Sequence, residues 1–173
     1  MRINCRDACA VLDGCLSRFA ETCRSVSAEQ WTCGTRGGGS GIGDVAQHVN
    51  AANAMLLNVL AQLPAQPDVD EPTRYLDEEI PYLFDRGAQA PDLANATDVT
   101  GDQRAWFDEY AENADRMRDM VSEANDGLRA KRLSHPVFGP LDGVQWILFI
   151  AAHTERHRAQ ILGMCNECMA RIP

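Results

Sequence analysis

Two histidines one helical turn apart are the residues of this sequence with the clearest capacity for chemistry. His153 and His157 lie in residues 146–161, where apolar residues recur at helical spacing. At about 3.6 residues per turn, both imidazoles fall on the apolar stripe of one helix. A buried imidazole needs a partner, and two imidazoles one turn apart can bind the same metal ion. The pair therefore indicates either a metal site or core histidines that are satisfied by hydrogen bonds.

A third histidine strengthens the metal interpretation. The chain has four histidines, and His48 lies in residues 42–63, another segment with helical hydrophobic periodicity. Three of the four are then expected to face the interior of the protein. We predict that His48, His153 and His157 bind one divalent metal ion.

The predicted site favours chemistry on a small molecule. Three neutral imidazoles leave at least one coordination position open for water or substrate, as in catalytic zinc sites. Such an ion could acidify a bound water for hydrolysis or bind a thiolate. A zincin-type protease is disfavoured, because Thr154 and not a glutamate follows the first histidine of the pair. The sequence assigns no catalytic residue.

Three more polar residues are candidates for the surroundings of the metal. Asp44 precedes His48 by one turn, where its carboxylate could hold the second ring nitrogen or interact with the helix N-terminus. Gln160 follows His157 by three residues and could face the same cavity. His135 precedes a proline in a predicted turn, where it could reach metal or substrate or face solvent.

Long segments with helical periodicity must position these residues. Proline and glycine lie between the segments, and no alternating β-branched run is present, so we predict an all-α fold of four helices. The third helix is predicted to open at a capping box formed by Thr100 and Gln103. The fourth is predicted to begin at Pro140, after a turn. The predicted helices cover residues 3–26, 42–63, 100–128 and 140–170.

Two connections stand out in this pattern. Residues 31–43 contain six glycines, which is typical of a mobile connection that could gate a site. Residues 65–99 are rich in proline and acidic residues, with a short helix predicted around Pro81. A connection of this length between helices two and three is either a functional lid or a long crossover along a bundle.

Length, charge and hydropathy narrow the class of protein. With 173 residues, the chain fits one domain covering residues 1–173. A net charge of -9 and a pI near 4.8 argue against nucleic-acid and anionic-lipid partners. No apolar run is long enough to span a membrane, and the polar start lacks the apolar core of a signal peptide. We therefore predict a cytoplasmic protein that acts on a small molecule.

The seven cysteines do not indicate a disulfide framework, because their number is odd and no export signal is present. Most are expected to be reduced. Cys5 and Cys9 are one turn apart, and Cys165 and Cys168 form a Cys-x-x-Cys pair at the end of a helix. If the first and fourth helices ran antiparallel, the four thiols could form a second metal or redox site. Parallel helices would separate the pairs, and the thiols would then be small core residues.

Three motifs, taken together and in order, resemble a known family. They are Gly43-Asp-Val-Ala-Gln-His48, then His135-Pro-Val-Phe-Gly-Pro-Leu141, then His153-x-x-x-His157-x-x-Gln160. This arrangement resembles the DinB-like (damage-inducible) family of metal-binding four-helix proteins and extends over nearly the whole chain.

The resemblance implies a four-helix bundle with a long crossover between helices two and three. It also implies a divalent nickel, zinc or iron ion on His48, His153 and His157. Members are often dimeric, so a homodimer is implied by the resemblance, although the sequence carries no dimer signature of its own. Related proteins with assigned chemistry use low-molecular-weight thiols, which makes a thiol cosubstrate the best family-level suggestion. The alternatives are thus thiol-dependent transfer, metal-assisted hydrolysis, or a non-enzymatic protein in which the metal or histidine cluster is structural.

Overall fold

Long helices make up most of the described chain, as the sequence predicted. The computed structural model describes residues 2–32, 40–66, 73–86 and 102–169. The all-α four-helix prediction is confirmed, with shifts of a few residues at the helix ends and one extra short helix after the first. The helices are α1 (Cys5–Arg24), α2 (Ala28–Trp31), α3 (Ile42–Gln62), α4 (Gln103–Ala124) and α5 (Gly143–Met169).

A small antiparallel hairpin precedes α5 where the sequence predicted only a turn. Its strands are β1 (Arg132–His135) and β2 (Gly139–Asp142). The prediction that Pro140 opens the last helix is therefore wrong, because Pro140 pairs with Ser134 inside β2. Proline is compatible with both positions, because it has no backbone N–H and no donor is required in the first turn of a helix or at the edge of a short hairpin. Gly139, at a φ of 77°, supplies the left-handed conformation that closes the turn.

The capping box predicted at the start of α4 includes Thr100, which lies outside the described residues, so the box stays a prediction. The side chain of Asp102 accepts the N–H of Arg104 at 2.9 Å. The Gln103 amide nitrogen has a further role. It donates to the carbonyls of Cys23 and Val26 at 3.1 and 3.0 Å, so it ties α4 to the end of α1.

Contacts along α1 fix the relative directions of three helices. Arg18 lies 3.6 Å from Glu155, and the end of α1 lies beside the end of α5, so α1 and α5 are parallel. Conversely, Arg118 near the end of α4 lies 2.6 Å from Asp13. Since the start of α4 contacts the end of α1, α4 runs antiparallel to both.

The parallel arrangement separates the two predicted cysteine pairs. Cys9 is in the first half of α1, whereas Cys165 lies beside Cys23, 14 residues and about 21 Å further along the bundle. The four-cysteine site, which required antiparallel helices, is therefore not formed. Cys5, Cys9, Cys15, Cys23 and Cys165 are free thiols. Cys168 is disulfide-bonded.

The chain between α3 and α4 contains the short helix that was predicted around Pro81. It is a 3-10 helix, Asp77–Arg86, whose Phe84 ring stacks on Phe149 of α5 at 4.8 Å between centroids. A second 3-10 helix, Asn125–Ala130, supplies Arg129, which binds the buried Asp77 carboxylate. The rest of the predicted crossover, residues 67–72 and 87–101, lies outside the described residues, as do residues 33–39 of the glycine-rich connection, so both functions remain predictions.

Candidate metal centre

The three predicted histidines meet between α3 and α5. His153 Nε2 lies 3.3 Å from His48 Nε2 and 3.2 Å from His157 Nε2. All three candidate ligand atoms lie within 4.8 Å of one another. Residues that are more than a hundred positions apart in the sequence thus converge on one point.

The apolar stripe of α5 positions two of these histidines. Phe149 and Ile150 are almost completely buried, and His153 continues the same stripe one turn later with 6% of its surface exposed. His157 follows after another turn and is half-buried. The hydrophobic effect therefore fixes which face of α5 points inward, and both imidazoles follow from that orientation.

Buried amides position α3 against its neighbours. Asn53 Nδ2 donates to Thr154 Oγ1 at 3.1 Å, and Thr154 in turn donates to the carbonyl of Ile150. On another side of α3, Asn113 Nδ2 donates to Asn50 Oδ1 at 2.9 Å. Buried polar groups that lose their partners are costly, so these bonds favour one register of α3. Because Thr154 is adjacent to His153, the Asn53 bond fixes that register next to the histidines.

The spacing of the imidazoles fits a single metal ion. In a tetrahedral site, two nitrogens at about 2.05 Å from the ion lie about 3.3 Å apart, whereas ligands at right angles lie about 2.9 Å apart. The observed separations of 3.3 and 3.2 Å match the tetrahedral value. The two separations to His153 therefore fit a tetrahedral zinc ion.

Gln160 fixes the tautomer of His157, so this predicted residue does lie at the cluster. The Gln160 Oε1 atom is 2.8 Å from His157 Nδ1. An amide oxygen can only accept a hydrogen bond, so Nδ1 of His157 must carry the proton. The neutral ring then has its lone pair on Nε2, the atom that points at His153. A hydrogen bond of this kind also orients metal-bound histidines in known sites.

The electrostatic environment keeps two of the imidazoles neutral. Burial, followed by the neighbouring His157 and His48, lowers the pKa of His153 to about 3. Burial also lowers the pKa of His157, although its bond to Gln160 acts in the opposite direction. Neutral imidazoles are the form that binds metal, so no proton has to be displaced near pH 7.

One side of the cluster is closed by residues that the sequence analysis missed. The Phe84 ring lies 6.0 Å from the His153 ring, and the Arg156 guanidinium lies 5.5 Å from the centroid of Phe84. His48 and His157 are half-buried, so the cluster is buried behind His153 and open on the other side. Phe84 belongs to a short segment whose position against α5 has no sequence signal beyond its apolar character.

Asp44 has the helix-terminal role that was one of its two predicted interpretations. Its Oδ2 atom accepts the backbone N–H of Gly41 at 2.6 Å, at the start of α3. This bond satisfies a backbone donor that has no partner within the helix. Contact between this carboxylate and the ring of His48 remains a prediction.

His135 lies in an aromatic cluster next to the hairpin. It is 1% exposed, and its ring stacks on Phe138 at 4.5 Å and lies 5.0 Å from Phe149. Its Nδ1 atom accepts the N–H groups of Val137 and Phe138, so Nε2 carries the proton. That N–H group finds no hydrogen-bond partner among the described residues. A role for His135 with metal or substrate therefore remains a prediction.

The fold and the histidine cluster define a helical-bundle protein with a candidate metal centre. A sequence profile described as the DinB superfamily matches residues 12–161, so the chain belongs to that superfamily. No curated protein sequence matches the chain at a significant level. None of the helices in the described ranges is long and apolar enough to cross a membrane.

The fold of the chain is similar to that of a solved structure. It is YfiT from Bacillus subtilis, described as a probable metal-dependent hydrolase with an unusual four-helix bundle topology. The TM-score is 0.62 at 14% sequence identity, and the alignment covers 95% of this chain and 87% of YfiT. At this identity the similarity establishes a shared fold.

Proposed function

We propose that this protein is a divalent-metal-dependent hydrolase of a small molecule, with His48, His153 and His157 as the metal ligands. The observation that carries the proposal is the convergence of three Nε2 atoms. The Nε2 atom of His153 lies 3.2 Å from that of His157 and 3.3 Å from that of His48. The description of YfiT as a probable metal-dependent hydrolase supports the same class of reaction.

The arrangement suits a catalytic better than a purely structural site. Structural zinc sites are closed by four protein ligands, whereas catalytic sites use three and leave one position open. A bound divalent ion would supply an acidified water, with a pKa near 7, and would polarise the bond to be cleaved. His48 and His157 line the half-buried side, where a substrate can approach.

The surrounding residues have supporting roles in this proposal. Gln160 keeps the proton of His157 on Nδ1, so that Nε2 is available as a ligand. Phe84 and the buried His153 exclude water from the back of the cluster, which strengthens electrostatic interactions on the open side. Zinc fits the observed spacing, and nickel and iron remain alternatives from the family resemblance. The cytoplasmic location, the homodimer and the lack of a nucleic-acid partner also belong to this proposal.

Metal analysis is the first test. Protein purified without a histidine tag is expected to contain about one divalent ion per chain, and His153→Ala is expected to lose it. His135→Gln is the matched control, since it changes the histidine outside the cluster. Equal metal content in wild type and His153→Ala would contradict the assignment of the ligands.

An activity assay then tests the class of reaction. Metal-loaded protein is expected to hydrolyse members of a panel of small ester, amide and phosphoester substrates, with loss of turnover in His153→Ala. Consumption of a low-molecular-weight thiol without hydrolysis would instead indicate thiol-dependent transfer. A large increase in melting temperature on metal binding with neither activity would indicate the non-enzymatic, structural role.

A further inference from the structure

A second cluster of metal-binding side chains lies on α1, away from the histidines. The Sγ atoms of Cys5 and Cys9 are 3.9 Å apart, and both residues line a cavity of about 710 Å³ between α1 and α4. Neither helix contributes a histidine to the candidate metal centre. The cavity is of the size that proteins use for small ligands.

The separation of the two sulfur atoms fits a shared metal ion. Two thiolates at about 2.3 Å from one ion lie about 4.0 Å apart at the 120° angle of a three-coordinate site, and about 4.6 Å apart in a linear two-coordinate site. The observed 3.9 Å therefore requires almost no rearrangement for a three-coordinate site. Met117 of α4 lines the same cavity, so a thioether sulfur is present there in addition to the two thiols. Sulfur ligands select soft cations, of which copper(I) is the typical biological example.

The charges around the cavity compensate for a bound thiolate pair. Two thiolates and one copper(I) ion carry a net charge of -1. Arg6 lines the cavity, and Cys5 is the first residue of the 20-residue helix α1, where the helix dipole favours negative charge. Arg118 also lines the cavity, but its charge is paired with the Asp13 carboxylate, another lining group, at 2.6 Å. The lining also includes the apolar residues Leu12, Leu16 and Val121.

A metal ion that binds this pair has to displace the proton of Cys9. Burial and the neighbouring Cys5 raise the pKa of Cys9 to about 12, so this thiol is protonated near pH 7. A protonated thiol is a poor nucleophile, but a coordinating metal deprotonates it outright. Each binding event would then form two Cu–S bonds and release two protons to solvent.

We propose that Cys5 and Cys9 form a copper(I) site at the α1–α4 cavity, separate from the histidine cluster. The site takes the ion as a bis-thiolate complex, with Met117 as a third sulfur neighbour. This inference does not depend on the proposed hydrolase function.

The test uses the full-length chain under anaerobic conditions, with a chromogenic copper(I) chelator as competitor. Wild type is expected to withdraw one copper(I) ion per chain from the chelator, and Cys9→Ser is expected to weaken binding at least tenfold. Cys165→Ser, which removes a half-buried free thiol at the other end of the bundle, should leave the affinity unchanged. His153→Ala should also leave it unchanged, which separates this site from the histidine cluster.

A second measurement avoids any dependence on folding of the variant. Wild type is labelled with maleimide at alkaline pH until Cys9 of the metal-free protein is fully modified. Under these conditions copper(I) is expected to protect Cys9 while Cys165 remains reactive, as read by peptide mass spectrometry. Equal labelling of Cys9 with and without copper(I) would overturn the proposal. The same conclusion would follow from copper binding that His153→Ala abolishes and Cys9→Ser does not change.

Discussion

Replacement of Gln160 by alanine is the sharpest test of how the histidine cluster works. The Gln160 side chain is exposed, and its bond in the structure joins Oε1 to His157 Nδ1 at 2.8 Å. The variant therefore removes the group that holds the His157 proton away from Nε2, without removing a ligand or creating a cavity. The stability of the metal-free protein should be almost unchanged, since exposed substitutions of this kind alter the free energy of unfolding by about 0.5 kcal/mol or less.

The expected magnitude follows from the role of such partners in metal sites. Loss of a hydrogen-bond partner of a ligating histidine typically weakens metal binding about 10–100-fold. At a fixed, saturating concentration of free metal, each tenfold loss lowers the stabilisation by about 1.4 kcal/mol, so Gln160→Ala should lose about 1.4–2.7 kcal/mol. For a protein of this length, that corresponds to a decrease in Tm of about 3–11 °C.

The assay is thermal unfolding in buffered zinc and in chelator, for wild type, Gln160→Ala and Asn166→Ala. Asn166 is the control, because it is another exposed amide on α5. The decrease in Tm should be present only for Gln160→Ala and only with zinc. If both variants bind zinc within twofold of wild type, the tautomer argument for His157 is refuted. An equal loss of Tm with and without zinc would show that Gln160 is merely structural.

Three other perturbations test how the fold supports the site. Gly143→Ala should lower the free energy of unfolding in urea by about 1–3 kcal/mol, because the added Cβ would overlap the Leu128 carbonyl. Gly163→Ala is the control and should not be destabilised, because nothing lies within 4 Å of its added Cβ. Asn53→Ala should cost about 1–3 kcal/mol by urea unfolding and should weaken zinc binding, since it removes the buried bond between α3 and α5. Metal-free protein should lose stability below about pH 6.5, because the pKa of His153 is lowered to about 3 in the folded state and the unfolded state therefore binds more protons. The free energy of unfolding from urea titrations should be lower at pH 5 than at pH 7.5, by up to about 1.4 kcal/mol for each pH unit below 6.5.

Local sequence patterns were sufficient to identify the helices, whereas the prediction that three histidines share one metal ion rested on their inward faces and on the family resemblance. Hydrophobic periodicity placed His153 and His157 on the buried face of α5, and the structure confirms that orientation. Periodicity says nothing about which helices become neighbours. The approach of His48 depends on long-range contacts such as the Asn53 to Thr154 bond, which no local pattern encodes.

The wrong prediction for Pro140 has a physical cause. The local preference of proline is satisfied both in the first turn of a helix and in the edge of a hairpin. Pro140 suits the first turn of a helix, but the left-handed Gly139 allows the chain to fold back into a hairpin first.

The protonation pattern of the histidine cluster itself argues for a cation. His153 Nε2 approaches the Nε2 atoms of His48 and His157 almost equally, at 3.3 and 3.2 Å. Because Gln160 places the proton of His157 on Nδ1, the Nε2 atom of His157 can only accept. If His153 donates its single Nε2 proton to His157, that proton is not available to His48. If His48 donates to His153 instead, two lone pairs face each other across 3.2 Å. One good hydrogen bond is therefore the most that the three Nε2 atoms can make with one another, whereas a single metal ion would satisfy the lone pairs of all three.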